Sequence, residues 1–185
     1  MKELRAASDL LEAKPADVAA WCPKYASLTK EQRAVFYGHM IAEAAKWESS
    51  LDPSKNTYEC RSTCVYKGGC RYVEGRGYCM KGGHSLDGGL VISRGLMQMS
   101  LESAQSIGCP LKEPKELNDP LKNLSCAVRG FNLYIPGGGY IATKGSDEKW
   151  KGAAAYWAVW RGTNEYTKQS RAAIQAASLK APGCK

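Results

Sequence analysis

The sequence contains no apolar stretch long enough to span a bilayer, because Gly, Lys or Glu interrupts its longest apolar segments. It has no internal repeat, and 185 residues suit a single domain covering residues 1–185. Its 26 Lys and Arg residues give a net charge of +8 without forming a basic run, and no nucleic-acid-binding motif accompanies them. We therefore expect a monomeric globular domain with no transmembrane segment and no nucleic-acid partner. Its charge suits other polyanions, such as the bacterial wall.

The first five residues also lack the apolar core of a signal peptide. The eight cysteines, in contrast, are an even number that indicates an oxidising compartment and up to four disulfides. We therefore expect a secreted or periplasmic protein, from which a signal peptide has been removed or which leaves the cytosol by another route.

The sequence does not determine how the cysteines pair. The candidate pairs are Cys109 with Cys126, Cys22 with Cys184, and two bridges among Cys60, Cys64, Cys70 and Cys79. The alternative for the last four is a structural zinc site, with His84 as a further ligand. Zinc sites usually contain paired C-x2-4-C knuckles, and only Cys60 and Cys64 have that spacing. The sequence therefore favours disulfides and predicts no metal and no cofactor.

The first half of the chain changes character near residue 52. Residues 1–28 contain short helical segments, at 3–13 and 15–22, and are predicted to form an N-terminal helical extension. Thr29-Lys30-Glu31-Gln32 fits a capping box, which predicts a helix from there to about Ser49. Residues 52–94 are rich in Cys and Gly, and within them only 89–92 has the pattern of a strand. This segment is predicted to form an irregular lobe held by disulfides.

Helical signals return in the second half. Ser100 is a candidate cap for a helix that stops at Gly108, and Asp119-Pro120 predicts the start of another that ends near Pro136. Residues 150–160 have the composition of an apolar helix, and Thr163 is a candidate cap for the last one. The prediction is a mainly α fold of the α+β class with a disulfide-rich, loop-rich insertion.

Glu48 lies on the apolar face of the helix predicted after Thr29. On a wheel of about 100° per residue it falls between Tyr37 and Ile41, whereas Glu43 falls on the opposite face. A carboxyl group removed from water keeps its proton to a higher pH, and glycosidic cleavage needs such an acid to protonate the leaving oxygen. The alternative is that the chain turns outward at the helix end and that Glu48 reaches solvent.

Three motifs occur in order: Glu48-Ser49 at the predicted helix end, SRGLMQM at 93–99, and AAY at 154–156. This arrangement resembles the soluble lytic transglycosylase family, whose pattern is Glu-Ser, Gly-Leu-Met-Gln and Ala-Tyr-Asn. It is also similar to the goose-type lysozymes, which share the first two elements. The resemblance covers roughly residues 35–165 and implies a lysozyme-like fold that cleaves peptidoglycan glycan strands.

The resemblance implies roles for individual residues. Glu48 would be the single catalytic acid/base, and Tyr156 would orient it or hydrogen-bond to it. The residues implied to shape the cleft or to contact the sugar are Ser49, Ser93, Gly95, Met97 and Gln98. The chain departs from the pattern at Trp157, where the family has Asn, so a usual polar contact with the saccharide is missing. Trp47, Trp157 and Trp160 lie beside the motifs and are candidates for sugar stacking.

The reaction outcome is open between two mechanisms. A lytic transglycosylase needs one carboxyl group and closes a 1,6-anhydro ring, whereas a hydrolytic lysozyme commonly uses a second carboxylate. The candidates for that second group are Asp87, Asp52, Glu59 and Glu74, with Asp87 nearest to the position at which goose-type lysozymes carry an acidic residue. An acidic patch formed by Glu59, Glu74 and Asp87 would also favour de-N-acetylated, cationic sugars.

Two functions of other classes compete with the enzyme. One is a non-catalytic wall-binding protein, against which Glu48 argues, because a binder gains nothing from an acid on an apolar face. The other is a membrane-disrupting effector that uses the positive charge, but the sequence lacks a clear basic amphipathic helix.

Overall fold

The computed structural model describes residues 1–60, 71–73, 78–81, 84–86 and 90–185. Six α-helices lie in these ranges: α1 (Lys2–Ala6), α2 (Ser8–Glu12), α3 (Lys30–Ser49), α4 (Leu101–Ser106), α5 (Pro120–Gly138) and α6 (Glu165–Ser178). Seven short strands accompany them: β1 (Asn56–Cys60), β2 (Arg71–Val73), β3 (Tyr78–Lys81), β4 (His84–Leu86), β5 (Leu90–Arg94), β6 (Ala142–Lys144) and β7 (Trp150–Gly152). The predicted mainly α, α+β fold is confirmed.

The central helix α3 begins and ends where the sequence predicts. The Thr29 side chain accepts a hydrogen bond from the Gln32 backbone, and the Gln32 side chain accepts one from the Thr29 backbone. These two bonds satisfy amides that have no partner within the helix. The α3 face that carries Phe36, Tyr37 and Met40 is fully buried. Helix α3 therefore forms the middle of the core, and its last turn carries Glu48.

The remaining helices enclose this core. In α5, Asp119 caps the first turn and Phe131 packs against Trp157 and Trp160. Residues 1–28 belong to the same core, because Leu10 is fully buried and its amide donates a hydrogen bond to Asn132 of α5. Among the described residues, none of the helices combines the length and apolarity that a bilayer span requires.

The Cys- and Gly-rich lobe contains more regular structure than the sequence predicts. One strand was expected at 89–92, whereas β1 pairs antiparallel with β5, and β2, β3 and β4 form a second antiparallel sheet. In the first sheet, Thr57 lies opposite Ser93 and Glu59 lies opposite Val91. Four of the five β1 residues are exposed, so β1 lacks the alternation of buried and exposed residues by which a strand is predicted.

The apolar helix predicted at 150–160 is wrong. This segment forms strand β7 and two single 3-10 turns, Ala153–Ala155 and Ala158–Trp160. Gly152, the last residue of β7, has a φ of +65°, and a Cβ there would lie 2.2 Å from the Ile141 oxygen. The apolar residues are buried through these tight turns rather than along a helix face. The last helix is capped by Asn164, one residue after the predicted Thr163.

Three disulfides join the described cysteines. Cys22–Cys184 and Cys109–Cys126 confirm the two candidate pairs outside the lobe, and Cys60–Cys79 confirms one bridge inside it. Cys60 and Cys79 are therefore not zinc ligands in this structure. Cys64 and Cys70 lie outside the described residues. Disulfides of this kind are typical of oxidising compartments.

Candidate active site

A cavity of about 600 Å³ opens between the end of α3, the β1–β5 sheet and the turns that follow β7. Its lining contains two carboxylates, one guanidinium and several aromatic rings. The lining residues are Trp47, Glu48, Thr57, Glu59, Val91, Ser93, Gln98, Ser100, Ser103, Tyr156, Trp157, Ala158, Val159, Arg161 and Tyr166. The volume is within the range of small-ligand sites.

Glu48 lies in the last turn of α3, two residues before Ser50, whose left-handed conformation ends the helix. Its side chain is half-buried in the wall of the cavity, and this burial raises its pKa to about 7. This value includes repulsion from Glu59, which also raises the pKa, and attraction to Lys55 and Arg161, which lowers it. The protonated form of Glu48 is therefore populated near neutral pH, as a general acid must be before it can donate its proton.

Glu59 lies on the opposite wall, on the β1–β5 sheet. Side chains two residues apart share one face of a strand, so Thr57 and Glu59 face the cavity together with Val91 and Ser93 of β5. The Ser93 hydroxyl donates a hydrogen bond of 3.2 Å to Glu59 Oε1. Glu59 was one of four candidates for a second carboxylate, and the sequence did not favour it. The structure brings it into the same cavity as Glu48.

The 95–98 turn is fixed by hydrogen bonds that the sequence analysis did not predict. Gly95 has a φ of +72°, and a Cβ there would lie 2.0 Å from the Leu117 oxygen. The buried Asn123 side chain accepts a hydrogen bond from the Met97 amide (2.8 Å) and donates to the Arg94 and Leu117 carbonyls. An amide that both donates and accepts can satisfy several buried backbone groups at once. Asn123 therefore supports the turn from α5.

Gln98 is the residue of the 95–98 turn that lines the cavity. Its Nε2 donates to the Lys55 and Gly95 carbonyls, at 3.0 and 2.7 Å, which orients the amide. Its Oε1 is buried and has no hydrogen-bond partner among the described residues. Gln98 also has a φ of +42°, an uncommon conformation for a residue with a side chain. Gln98 therefore lines the cavity with an amide group that backbone carbonyls hold in a fixed orientation.

Three of the residues predicted to shape the cleft or to contact the sugar lie in the core. Met97 is fully buried, Gly95 is enclosed by Leu117 and Asn123, and the Ser49 hydroxyl donates to the Ala45 carbonyl within α3. None of the three lines the cavity. These three residues support the site without lining it, because each fixes the backbone of a segment that carries Glu48 or Gln98.

Tyr156 and Trp157 both line the cavity. Burial raises the pKa of Tyr156 to about 12, so the hydroxyl stays protonated. The Ser103 side chain and the Ser100 backbone lower the pKa of Tyr156, whereas the charge of Glu48 raises it. The Trp157 indole N–H donates to the Met97 carbonyl at 2.9 Å, and the ring is 2% exposed. Trp157 is therefore mainly a core residue.

A second aromatic pair borders the cavity beside Glu48. The rings of Trp47 and Tyr166 meet edge to face at 5.3 Å, and the Tyr166 hydroxyl donates to the Trp47 carbonyl. Trp47 was a predicted sugar contact, whereas Tyr166 was not predicted. Trp160 is fully buried and does not line the cavity, so its predicted sugar contact is wrong. Asp87 lies outside the described residues.

Comparison with known proteins finds similar solved structures. No family model and no curated protein matches the chain. Among solved structures, the wild-type form of DslA (Bd0314) is similar over the whole chain and 90% of its own length, with 30% sequence identity and a TM-score of 0.76. Two DslA variants, each with one glutamate replaced by glutamine, are similar at 30% and 31% identity, with TM-scores of 0.77 and 0.75. The chain belongs to the same protein family as DslA.

Proposed function

We propose that this protein is a peptidoglycan-degrading glycosidase that cleaves the β-1,4 bond between N-acetylmuramic acid and N-acetylglucosamine. The observation that carries the proposal is a half-buried carboxyl group, Glu48, with a pKa of about 7 in the wall of an open, aromatic-lined cavity. Aromatic rings suit the apolar faces of sugars, and an acid that keeps its proton near neutral pH suits protonation of a leaving glycosidic oxygen. A lysozyme-like fold is part of the same proposal.

Of the two reaction outcomes, the cavity favours the hydrolytic, lysozyme-type one. Glu48 donates its proton to the leaving oxygen, which breaks the glycosidic bond. Glu59, on the other wall, activates a water molecule or attacks the sugar carbon itself, as the second carboxylate of a hydrolytic glycosidase does. A transglycosylase has no need of that second group. Ser93 supports this role, because its hydrogen bond holds Glu59 in place.

The DslA variants support the pairing of these two glutamates. The glutamates replaced in DslA are eleven positions apart in its own numbering. Glu48 and Glu59 are also eleven positions apart, counting from 48 to 59. DslA matches the whole of this chain, so the equal spacing is expected if Glu48 and Glu59 are equivalent to the two glutamates replaced in DslA.

The disulfides support a location outside the cytoplasm, where peptidoglycan also lies, so we propose that the protein is secreted or periplasmic. The carboxylate of Glu59 in the cavity lining also favours, as a variant of the proposal, a preference for de-N-acetylated sugars, whose amines are cationic. A wall-binding protein without activity is the alternative of another class. It would not account for an acid whose charged form is disfavoured by burial.

The products released from purified peptidoglycan test the proposal. We expect wild-type protein to release soluble fragments with reducing ends, each heavier by one water than the corresponding anhydro fragment in a mass spectrum. Anhydro ends would indicate a transglycosylase, and the absence of any release from acetylated and de-N-acetylated walls would refute the enzyme. The Glu59→Gln variant should release far less than wild type. Equal release of reducing ends by both proteins would remove Glu59 from the mechanism.

A further inference from the structure

Arg161 is the one cationic side chain among the described residues that line the cavity. Its Nε donates a hydrogen bond of 2.9 Å to the Ala154 carbonyl, and its Nη2 donates to the carbonyls of Ala155 and Tyr156 at 3.2 and 3.4 Å. These bonds hold the guanidinium against the turn that follows β7. They leave Nη1, with two N–H donors, without a hydrogen-bond partner in the described part of the chain.

The charge of Arg161 also lacks a direct protein counter-ion there. None of the ion pairs among the described residues includes it. Arg161 nevertheless lies near the acid, because its charge lowers the pKa of Glu48. A half-buried cation is costly when no anion accompanies it. A carboxylate on a ligand in the cavity would both pair with the charge and accept hydrogen bonds from Nη1.

The substrate class of the proposed function carries such a carboxylate. A muramoyl sugar differs from glucosamine by a lactyl ether on O3. The carboxyl group of this ether is free in strands that carry no stem peptides (stem-free strands). In strands with stems that carboxyl is amide-linked, and the stem peptide supplies carboxylates nearby. A neutral chitin-type glycan has neither group. The position of Arg161 beside the proposed general acid therefore suits a group attached to a sugar next to the bond that is cut.

We propose that Arg161 binds a carboxylate on the O3 substituent of the muramoyl sugar and thereby makes the cavity selective for carboxylated over neutral glycans. The inference rests on the proposed function and names its specificity determinant. Arginine suits this task because its guanidinium stays charged at any accessible pH and presents its donors in a fixed plane.

Lys55 provides a matched control. It has the same charge sign and also lowers the pKa of Glu48, but its side chain is exposed and does not line the cavity. A general loss of positive charge near Glu48 would affect the Lys55→Gln and Arg161→Gln variants alike. Loss of a contact with the substrate would affect only Arg161→Gln.

The experiment compares kcat/KM on stem-free muramoyl strands with kcat/KM on the same strands after methyl esterification of the lactyl carboxyl groups. Wild type should prefer the carboxylate form by about tenfold or more, as expected for a hydrogen bond to a charged group. The ratio should fall close to one in Arg161→Gln and stay at the wild-type value in Lys55→Gln. The ratio is informative because a changed pKa of Glu48 or a disturbed turn affects both substrates equally.

A wild-type ratio of one, or a ratio that persists in Arg161→Gln, would overturn the inference. Should Arg161→Gln fail to fold, Arg161→Lys keeps the charge but loses the planar donor set, and its ratio should lie below that of wild type. A preference for stem-bearing strands that is lost in Arg161→Gln would support the same role with a stem carboxylate as the ligand. Failure of wild type to cleave any strand would instead refute the proposed function, and this inference with it.

Discussion

Replacing Glu48 by Gln should make the folded protein more stable at pH 8 and leave its stability almost unchanged at pH 4. In the folded state the pKa of Glu48 is about 7, whereas the ordinary value of 4.5 applies to the unfolded chain. Between these values the unfolded state binds fewer protons than the folded state. The free energy of unfolding of wild type therefore decreases as the pH rises through this window and levels off above it.

The size of this effect follows from the same two values. The difference between 7 and 4.5, at about 1.4 kcal/mol per pH unit, gives an upper value of about 3–4 kcal/mol. Because Glu48 is only half-buried in an open cavity, solvent reduces this value, and we expect about 1–3 kcal/mol. Glutamine has the same shape but no charge, so Glu48→Gln should lack this loss of stability.

Urea denaturation at pH 4, 6 and 8, followed by tryptophan fluorescence, measures the difference. Glu165→Gln is the matched control, because Glu165 is exposed and its replacement also raises the net charge from +8 to +9. Glu48→Gln should gain stability relative to this control at pH 8 but not at pH 4. Identical pH dependence of the two variants would refute the reasoning that burial disfavours the charged form of Glu48.

Three further perturbations test the site and its supports. Glu59→Gln should lower the pKa of Glu48 below its wild-type value in a carbon-13 NMR titration of the carboxyl groups, because a repelling charge is removed; an unchanged pKa would contradict this. Trp157→Phe should lower the free energy of unfolding by roughly 1–2 kcal/mol, since its hydrogen bond to the turn after β5 is lost, and unchanged stability would show that the bond is dispensable. Replacing both Cys22 and Cys184 by Ser removes a disulfide whose cysteines are 162 positions apart. The free energy of unfolding, measured by denaturation, should fall by roughly 2–5 kcal/mol. A smaller decrease would mean that the bridge constrains the unfolded chain only weakly.

Local signals predicted the helix boundaries well. The capping box at Thr29 and the Asp119-Pro120 start depend on hydrogen bonds between residues that are close in sequence, so the sequence alone contains the necessary information. The prediction that Glu48 lies on the apolar face of α3 also used only nearby residues, since helical spacing decides which residues share a face. The sequence could therefore identify the acid before its surroundings were known.

Contacts between distant segments were not predictable in the same way. Glu59 reaches the cavity only because β1 pairs with β5, and its strand is too exposed to show a burial pattern. Asn123 acts on the 95–98 turn from α5, and no local motif marks an Asn with that role. Residues 150–160 were predicted to be helical from their apolar composition, but composition does not distinguish a helix from the tight turns that follow Gly152.

The activity of Glu48→Gln on purified peptidoglycan tests the central claim most directly. Glutamine keeps the size and most of the hydrogen bonding of the side chain but has no proton to donate to a leaving oxygen. We predict that the release of soluble glycan fragments falls by about 10²–10⁴-fold relative to wild type, with Glu165→Gln close to wild type. Release by Glu48→Gln at a rate similar to that of wild type would contradict the assignment of Glu48 as the general acid.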